Sequence, residues 1–211
     1  MATTKKLTPE EKLVSTALAT IEKAGWKTLS LTALARRAKI DAATLYDLCP
    51  DKRALLALIA KRVDIGLIER AQEPDPDIPS RDRAFDAILS CFEAMGPLKS
   101  TIQIIHDESK GDPGAFLDVL PATMRSAQWI ADIAGLPTSG WQGFLTTRGI
   151  GILLAETLSV WLQDGEDLAK TMAHVDRRLR TIEEWAEALQ RRMTAEHEDE
   201  PEAEKTKAAA D

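Results

Sequence analysis

Cysteine, histidine and aromatic residues are scarce in this 211-residue chain: two Cys, three His, and 5% Phe, Trp and Tyr, with a single Tyr. Cys49 and Cys91 stand far apart with no CxxC and no histidine pair, which argues against a disulfide framework or a zinc ribbon and leaves buried free thiols in a reducing cytoplasm as the expectation. His106, His174 and His197 are scattered, and HExxH, GxSxG, Walker and GxGxxG motifs are all missing. No enzyme, no catalytic residue, no metal site and no cofactor are therefore expected. His106-Asp107-Glu108 has the composition of an acid/base site, but a helix end turning into the polar Lys110–Pro113 loop accounts for it better. Long apolar runs are lacking too. The longest, Gly149–Leu162, contains Glu156, and the opening MATTKKLTPEE holds no apolar stretch of the signal-peptide kind, so a cytoplasmic protein without membrane anchoring is expected. Apolar positions recur at three and four rather than two, so strands are not expected and the fold class is all-α.

Core-forming and charged residues are abundant, at 44% AVILMFWYC and 29% DEKR, which suits a folded unit with a sizeable core. The net charge of −7 excludes a wholly basic coat but not a local basic patch. Residues 1–64 carry 12 Lys and Arg against 7 Asp and Glu, while the rest of the chain holds a net −12. That asymmetry points the first segment toward a polyanion.

Thr8-Pro9-Glu10-Glu11 combines a capping hydroxyl, a first-turn proline and a capping-box glutamate, which predicts a helix over 9–24 ended by Gly25. Ser30 caps a short helix at 31–38, and Asp41 caps another at 42–48, stopped by Pro50. Two short helices with a tight turn between them make a helix-turn-helix. Asp51 then caps a long helix at 52–70. Three prolines within Glu73–Pro79 force a bend, which divides the chain into a helix-turn-helix segment (1–72), a Pro-rich bend (73–80) and an antiparallel helical bundle (81–194). Its helices are expected at about 81–95, 98–109, 113–134, 139–163 and 166–194. The segment 195–211 has seven acidic residues and no large apolar one, the composition of a disordered acidic tail.

In the last bundle helix, Leu168, Met172, Val175, Leu179 and Ile182, continued by Ala186, Leu189 and Met193, form one apolar seam, the candidate dimer face. Trp141–Leu162 is apolar on nearly every side, which a homodimer face or a self-contained bundle core would both explain. Phe92, Phe116, Trp129, Phe144 and Trp161 are candidates for an apolar ligand pocket, with plain core positions as the alternative. In a helix-turn-helix the N-terminal end of the second helix enters the major groove. Ser30 and Thr32 before it, Ala42, Ala43, Thr44 and Tyr46 on it, and Lys52 beyond it are the candidate DNA contacts: hydroxyls and an ammonium for phosphates and base edges, and methyls for thymine. A capping Ser30, a packed Tyr46 and a solvated Lys52 are the competing structural roles.

The order and spacing of Leu29–Ala38 (LSLTALARRA), Ile40–Tyr46 (IDAATLY) and Pro50–Leu56 (PDKRALL) resemble the DNA-binding domain of TetR-type transcriptional regulators. The resemblance implies a homodimer on a palindromic double-stranded operator and a larger domain housing the dimer face and the pocket for a small apolar ligand, with the chain acting as a repressor that this ligand releases. It also implies that Ser30, Thr44, Tyr46 and Lys52 occupy DNA-contacting positions. The chain departs from the family pattern at Ala42, Leu48 and Cys49, and Leu48 has no group to donate to a phosphate. Residues 160–167 (VWLQDGED), Thr171 and Val175–Leu179 (VDRRL) are similar to the C-terminal region of the lipid-binding accessory protein of ubiquinone biosynthesis. That second resemblance implies the alternative of an isoprenoid- or lipid-binding accessory protein that keeps the TetR fold without binding DNA.

Overall fold

A computed structural model describes residues 7–184 of the chain. Glu11 N–H donates to the Thr8 hydroxyl at 3.2 Å and Thr8 N–H donates to the Glu11 carboxylate at 2.7 Å, the reciprocal bonds that start α1 (Pro9–Ala24). Gly25 ends it at φ +82°, and a Cβ there would run into the Glu108 carboxylate, so only glycine suits the position. Three short polar caps set the next helices. Ser30 precedes α2 (Leu31–Ala38), Asp41 precedes α3 (Ala42–Leu48) and Asp51 precedes α4 (Lys52–Ile68), each accepting a first-turn N–H. Then follow α5 (Ser80–Met95), a 3-10 turn (Gly96–Leu98), α6 (Lys99–Ser109), α7 (Pro113–Ile133), α8 (Gly140–Leu162) and α9 (169–184). No strand occurs among the described residues, and the fold is all-α.

α9 begins three residues later than its apolar periodicity predicts. The Asp164 carboxylate accepts from both the N–H and the hydroxyl of Thr171 at 2.7 Å, and Leu168 turns through φ +53° to bring the helix start to it. Burial pushes the Asp164 carboxyl up, but the two Thr171 hydrogen bonds and the N–H of Gly165 outweigh it and hold the group below its ordinary range. The expected acidic tail, the seam residues Ala186, Leu189 and Met193, and residues 1–6 lie outside the described residues.

α4 is the helix around which the others are placed: it lies against α1 on one side and against α5 and α7 on the other. A single apolar cluster runs from Leu13 in α1 through Leu55 in α4, Ile88 and Phe92 in α5 and Ile130 in α7 to Trp161 in α8 and Val175 in α9. The bend at 73–79 therefore interrupts the sequence but not the core. Arg83 holds that bend in place, donating from Nε to the carbonyl of Ala134 at 2.8 Å and from Nη1 to those of Asp75 and Ile78. Asp64, only 3% exposed in α4, is a carboxylate inside this core. It is satisfied by the Ser126 hydroxyl at 2.5 Å and by Arg125 Nε at 3.3 Å, both from α7.

The seam on α9 is not one open face. Val175 and Leu179 are buried within the chain and Leu168 is half-buried, whereas Met172 and Ile182 are 37% and 46% exposed. The 4-3 spacing placed five apolar residues along one stripe, but the chain's own helices cover the middle of it, so Val175 and Leu179 belong to the core rather than to a dimer face. α8 divides similarly. Ile150, Leu153, Leu154, Thr157 and Trp161 face inward, while Trp141, Leu145 and Ile152 stand out in solvent.

Removing the hydroxyl beside Asp64 leaves a buried carboxylate short of a donor. Ser126→Ala is expected to lower stability by about 1–3 kcal/mol in a urea titration with an unchanged slope.

Candidate nucleic-acid interface

α2 is anchored by Leu34, Ala35 and Ala38, all buried. The chain then turns at Lys39, which adopts φ +56° and donates its N–H to Arg36 O at 3.3 Å, while Ile40 N–H donates to Ala35 O at 3.0 Å. That turn delivers α3 with Leu45 and Leu48 packed half-buried on the core and Cys49 sealed beneath them. The other side of α3 is open: Ala42, Ala43, Tyr46 and Asp47 are exposed, Tyr46 to 73%. Leu48, the residue that departs from the phosphate-donating type, is a packing residue here.

At the start of α2 the Ser30 hydroxyl accepts weakly from Ala33 N–H at 3.5 Å and lies 3.0 Å from the Thr32 hydroxyl, both exposed. At the start of α3 the Asp41 carboxylate accepts twice from one residue, from Thr44 N–H at 2.9 Å and from the Thr44 hydroxyl at 2.7 Å. Those two bonds hold the Asp41 carboxyl below its ordinary range, so it is ionised at neutral pH. Lys52, half-buried, does not stand free in solvent. Its ammonium donates to the carbonyls of Trp26 at 3.0 Å and Lys27 at 3.1 Å and lies 5.1 Å from the Trp26 ring centroid. Two further contacts join this end of the helix-turn-helix to the rest of the chain. Lys27 N–H donates to the Glu108 carboxylate of α6 at 2.6 Å, and Arg53 pairs with Asp118 of α7 at 2.8 Å. Between these ties lies a cavity of about 230 Å³, walled by Trp26, Lys52 and Leu56 on one side and by Ile105, Glu108 and Val119 on the other.

Comparison with solved structures places this arrangement. A TetR transcriptional regulator from Nitrosomonas europaea superposes with a TM-score of 0.60 at 15% identity, over 83% of this chain and 98% of that one. This chain has the fold of the TetR transcriptional regulators. A TetR regulator from a Rhodococcus species agrees, with a TM-score of 0.58 at 14% identity over 82% and 94% of the two chains. No family model and no curated protein matches the sequence. On this TetR fold the exposed side of α3 carries Ala42, Ala43 and Tyr46, with Thr44 half-buried at its edge, whereas Lys52 is turned back onto the loop between α1 and α2.

Of the five aromatic residues named for a ligand pocket, the four whose side chains are described do not gather. Phe92 and Trp161 are each 1% exposed and pack on one another with ring centroids 5.7 Å apart, and the Lys99 ammonium covers the Trp161 ring from 5.1 Å. Trp129 and Phe144 are exposed instead. Phe144 stacks on Trp141 at 6.1 Å under the guanidinium of Arg148 and lines an open cleft of about 310 Å³ between α7 and α8 with Met124, Gln128 and Thr147. The Phe116 side chain is outside the described parts. Aromatic residues at helical spacing share an inward side without sharing a space, and Phe92 with Trp161 fills the interior rather than lining a void.

Two features were not anticipated: the capture of the Thr44 hydroxyl by Asp41, and the Lys52 ammonium on loop carbonyls. The first had a signal, since Asp41 and Thr44 have the three-residue spacing of a cap. The second had none, because Trp26 and Lys27 are brought to Lys52 only by packing. Among the described residues no three His, Cys, Asp or Glu side chains gather as a metal-binding group, and no helix is long and apolar enough to cross a membrane.

Both thiols are buried and free. Burial, with Asp64 nearby, pushes Cys91 up to about 12, and burial with Asp51 pushes Cys49 up to about 11. The thiolate is the reactive form, so neither is expected to react with iodoacetamide at neutral pH in the folded protein, and both are expected to react in concentrated urea, as mass spectrometry of the labelled chain would count.

Proposed function

We propose that this protein is a TetR-type DNA-binding transcriptional regulator that acts in the cytoplasm as a homodimer. The observation that carries the reading is the held but uncovered α3: Leu45 and Leu48 fix it to the core while Ala42, Ala43 and Tyr46 remain open, within the net-positive segment 1–64. Ser30, Thr32, Thr44, Tyr46 and Lys52 are the proposed contacts. Two of the three Lys52 N–H donors are given to the Trp26 and Lys27 carbonyls, which leaves one for a phosphate.

The homodimer is supported by the solvent side of α8. Trp141, Leu145 and Ile152 form an exposed apolar stripe, and Ile152 of α8 and Ile182 of α9 lie one turn from the two ends of the Glu156–Arg178 ion pair that joins those helices. Met172 and Ile182 extend the proposed face, and Val175 and Leu179 support it from within. Two recognition helices of such a dimer would read major grooves about 34–36 Å apart on a palindromic operator. Ligand control of DNA binding is supported by the cavity shared by Trp26, Lys52, Ile105 and Glu108: a ligand there touches both the helix-turn-helix and α6, and whatever it does to DNA affinity, DNA does to its affinity by the same factor. No observation favours the lipid-binding accessory role.

The direct test is a fluorescence-anisotropy titration of the full chain against intergenic fragments of its own genome and a scrambled control at two salt concentrations. Saturable, salt-sensitive binding that prefers some fragments is expected; equal binding to the control at both salts would overturn the reading. Tyr46→Phe removes one exposed hydroxyl, and is expected to weaken DNA binding while changing stability by less than about 0.5 kcal/mol. Leu145→Asp with Ile152→Asp is expected to give a folded monomer by sedimentation and circular dichroism, whereas Val175→Asp should unfold the chain.

A further inference from the structure

We infer that Lys39, in the turn of the helix-turn-helix, is an anchor for a DNA backbone phosphate, and that its presence there costs the fold stability; this rests on the DNA-binding reading above. The turn closes by paired back-bonds. Ile40 N–H donates to Ala35 O at 3.0 Å and Lys39 N–H donates to Arg36 O at 3.3 Å, a pattern that needs a left-handed residue directly after the helix. Lys39 is that residue, at φ +56° and ψ +47°. Glycine takes this conformation freely, whereas the Cβ of a lysine crowds the following carbonyl. Among the described residues one other non-glycine has a positive φ, Leu168, and its side chain packs half-buried on the core. Lys39 is exposed, and its ammonium has no hydrogen bond or ion pair with a described residue. The carbonyl end of α2 already has Arg36 and Arg37 in its last turn, so the helix dipole does not require a third cation. A strained residue whose side chain does nothing for the fold points to a role outside it.

The place of the turn says what that role is. Ile40 packs half-buried on the core while Lys39 beside it faces solvent. Two residues on, Asp41 caps α3, and the N-terminal end of that helix is what a helix-turn-helix sets into the major groove, between the phosphates of its edges. α3 itself has no cation. It carries the exposed Asp47 in its body and the exposed, ionised Asp41 at its start. Two carboxylates brought to a polyanion are repelled unless a cation stands close by. Lys52 gives two of its donors to loop carbonyls, and Arg37 donates to Thr20 Oγ1 at 3.4 Å. Lys39 is nearer to α3 along the chain than either arginine, and none of its three N–H donors is taken by a described residue. An ammonium on a flexible stem meets a phosphate as a point charge and reads no base.

The test is thermal melting and DNA titration of the full chain with Lys39→Gly, Lys39→Ala and Lys39→Arg. Backbone and charge separate in this set: glycine relieves the left-handed strain and removes the charge, alanine removes the charge alone, and arginine changes neither. Lys39→Gly is expected to raise Tm by about 2–4 °C, the shift that relief of one such residue gives in a chain of this size. It is also expected to weaken binding several-fold at low salt, to preferred and scrambled duplexes alike. The slope of log K against log salt should become shallower by about 0.9 for each protomer on the DNA. Lys39→Ala is expected to lose the same binding without the gain in Tm, and Lys39→Arg to rescue the slope. A Lys39→Gly protein that melts below the unmodified one would show that the fold needs the side chain, and an unchanged slope would show that DNA does not. Either overturns the inference and leaves the regulator reading standing, as does a loss confined to preferred sites, which would make Lys39 a base contact. No salt-sensitive binding of the unmodified protein to any duplex would overturn both.

Discussion

The structure depends on one helix being shared. α4 packs on α1 of the helix-turn-helix and on α5 and α7 of the larger bundle, so it joins the two ends of the one core. Apolar contact alone would let such a helix slide, because hydrophobic burial is non-directional. The Asp64 carboxylate removes that freedom. It is buried, charged groups are costly to bury without partners, and the partners come from consecutive positions of α7, Ser126 and Arg125. Arg125 also reaches the carbonyl of Ala57 at 2.9 Å, two turns back along α4, so α7 grips α4 at two levels.

The helix-turn-helix end of the chain is tied to the bundle by further contacts. The N-terminus of α4 holds Lys52 against the loop after α1, and its second residue, Arg53, holds Asp118 of α7. α6 touches the same loop through Glu108 and meets α1 again through Glu22, which accepts from the hydroxyls of Ser100 and Thr101. A displacement of α6 or α7 therefore cannot leave the loop between α1 and α2 untouched. The exposed polar ties are individually weak, and the core beneath them is close-packed, which is the combination that lets a small free energy choose between arrangements.

The exposed side of α3 is built on a similar economy of donors. α3 is short, has no fully buried residue and is kept in place by two leucines beneath it. Its capping aspartate stabilises the first turn and, by the same bonds, takes up both donors of Thr44.

Helix caps and apolar periodicity act over three or four residues, and they made the helices legible: Thr8, Ser30, Asp41 and Asp51 mark real starts, and Gly25 and Pro50 real stops. The order LTALARRA, IDAATLY, PDKRALL likewise carried the TetR fold, because a helix-turn-helix is a local object whose turn and caps are written in consecutive residues. Which side of a helix meets which neighbour is decided by residues far apart in the chain. Periodicity could place Val175, Leu179, Met172 and Ile182 on one stripe, yet only packing buried the first two and exposed the others. It could name Phe92 and Trp161 as inward-facing, yet only their contact in space made them core instead of pocket. Tertiary structure alone brought Asp64 to Ser126 and Lys52 to Trp26, since polar pairs more than twenty residues apart leave no periodic trace in the sequence.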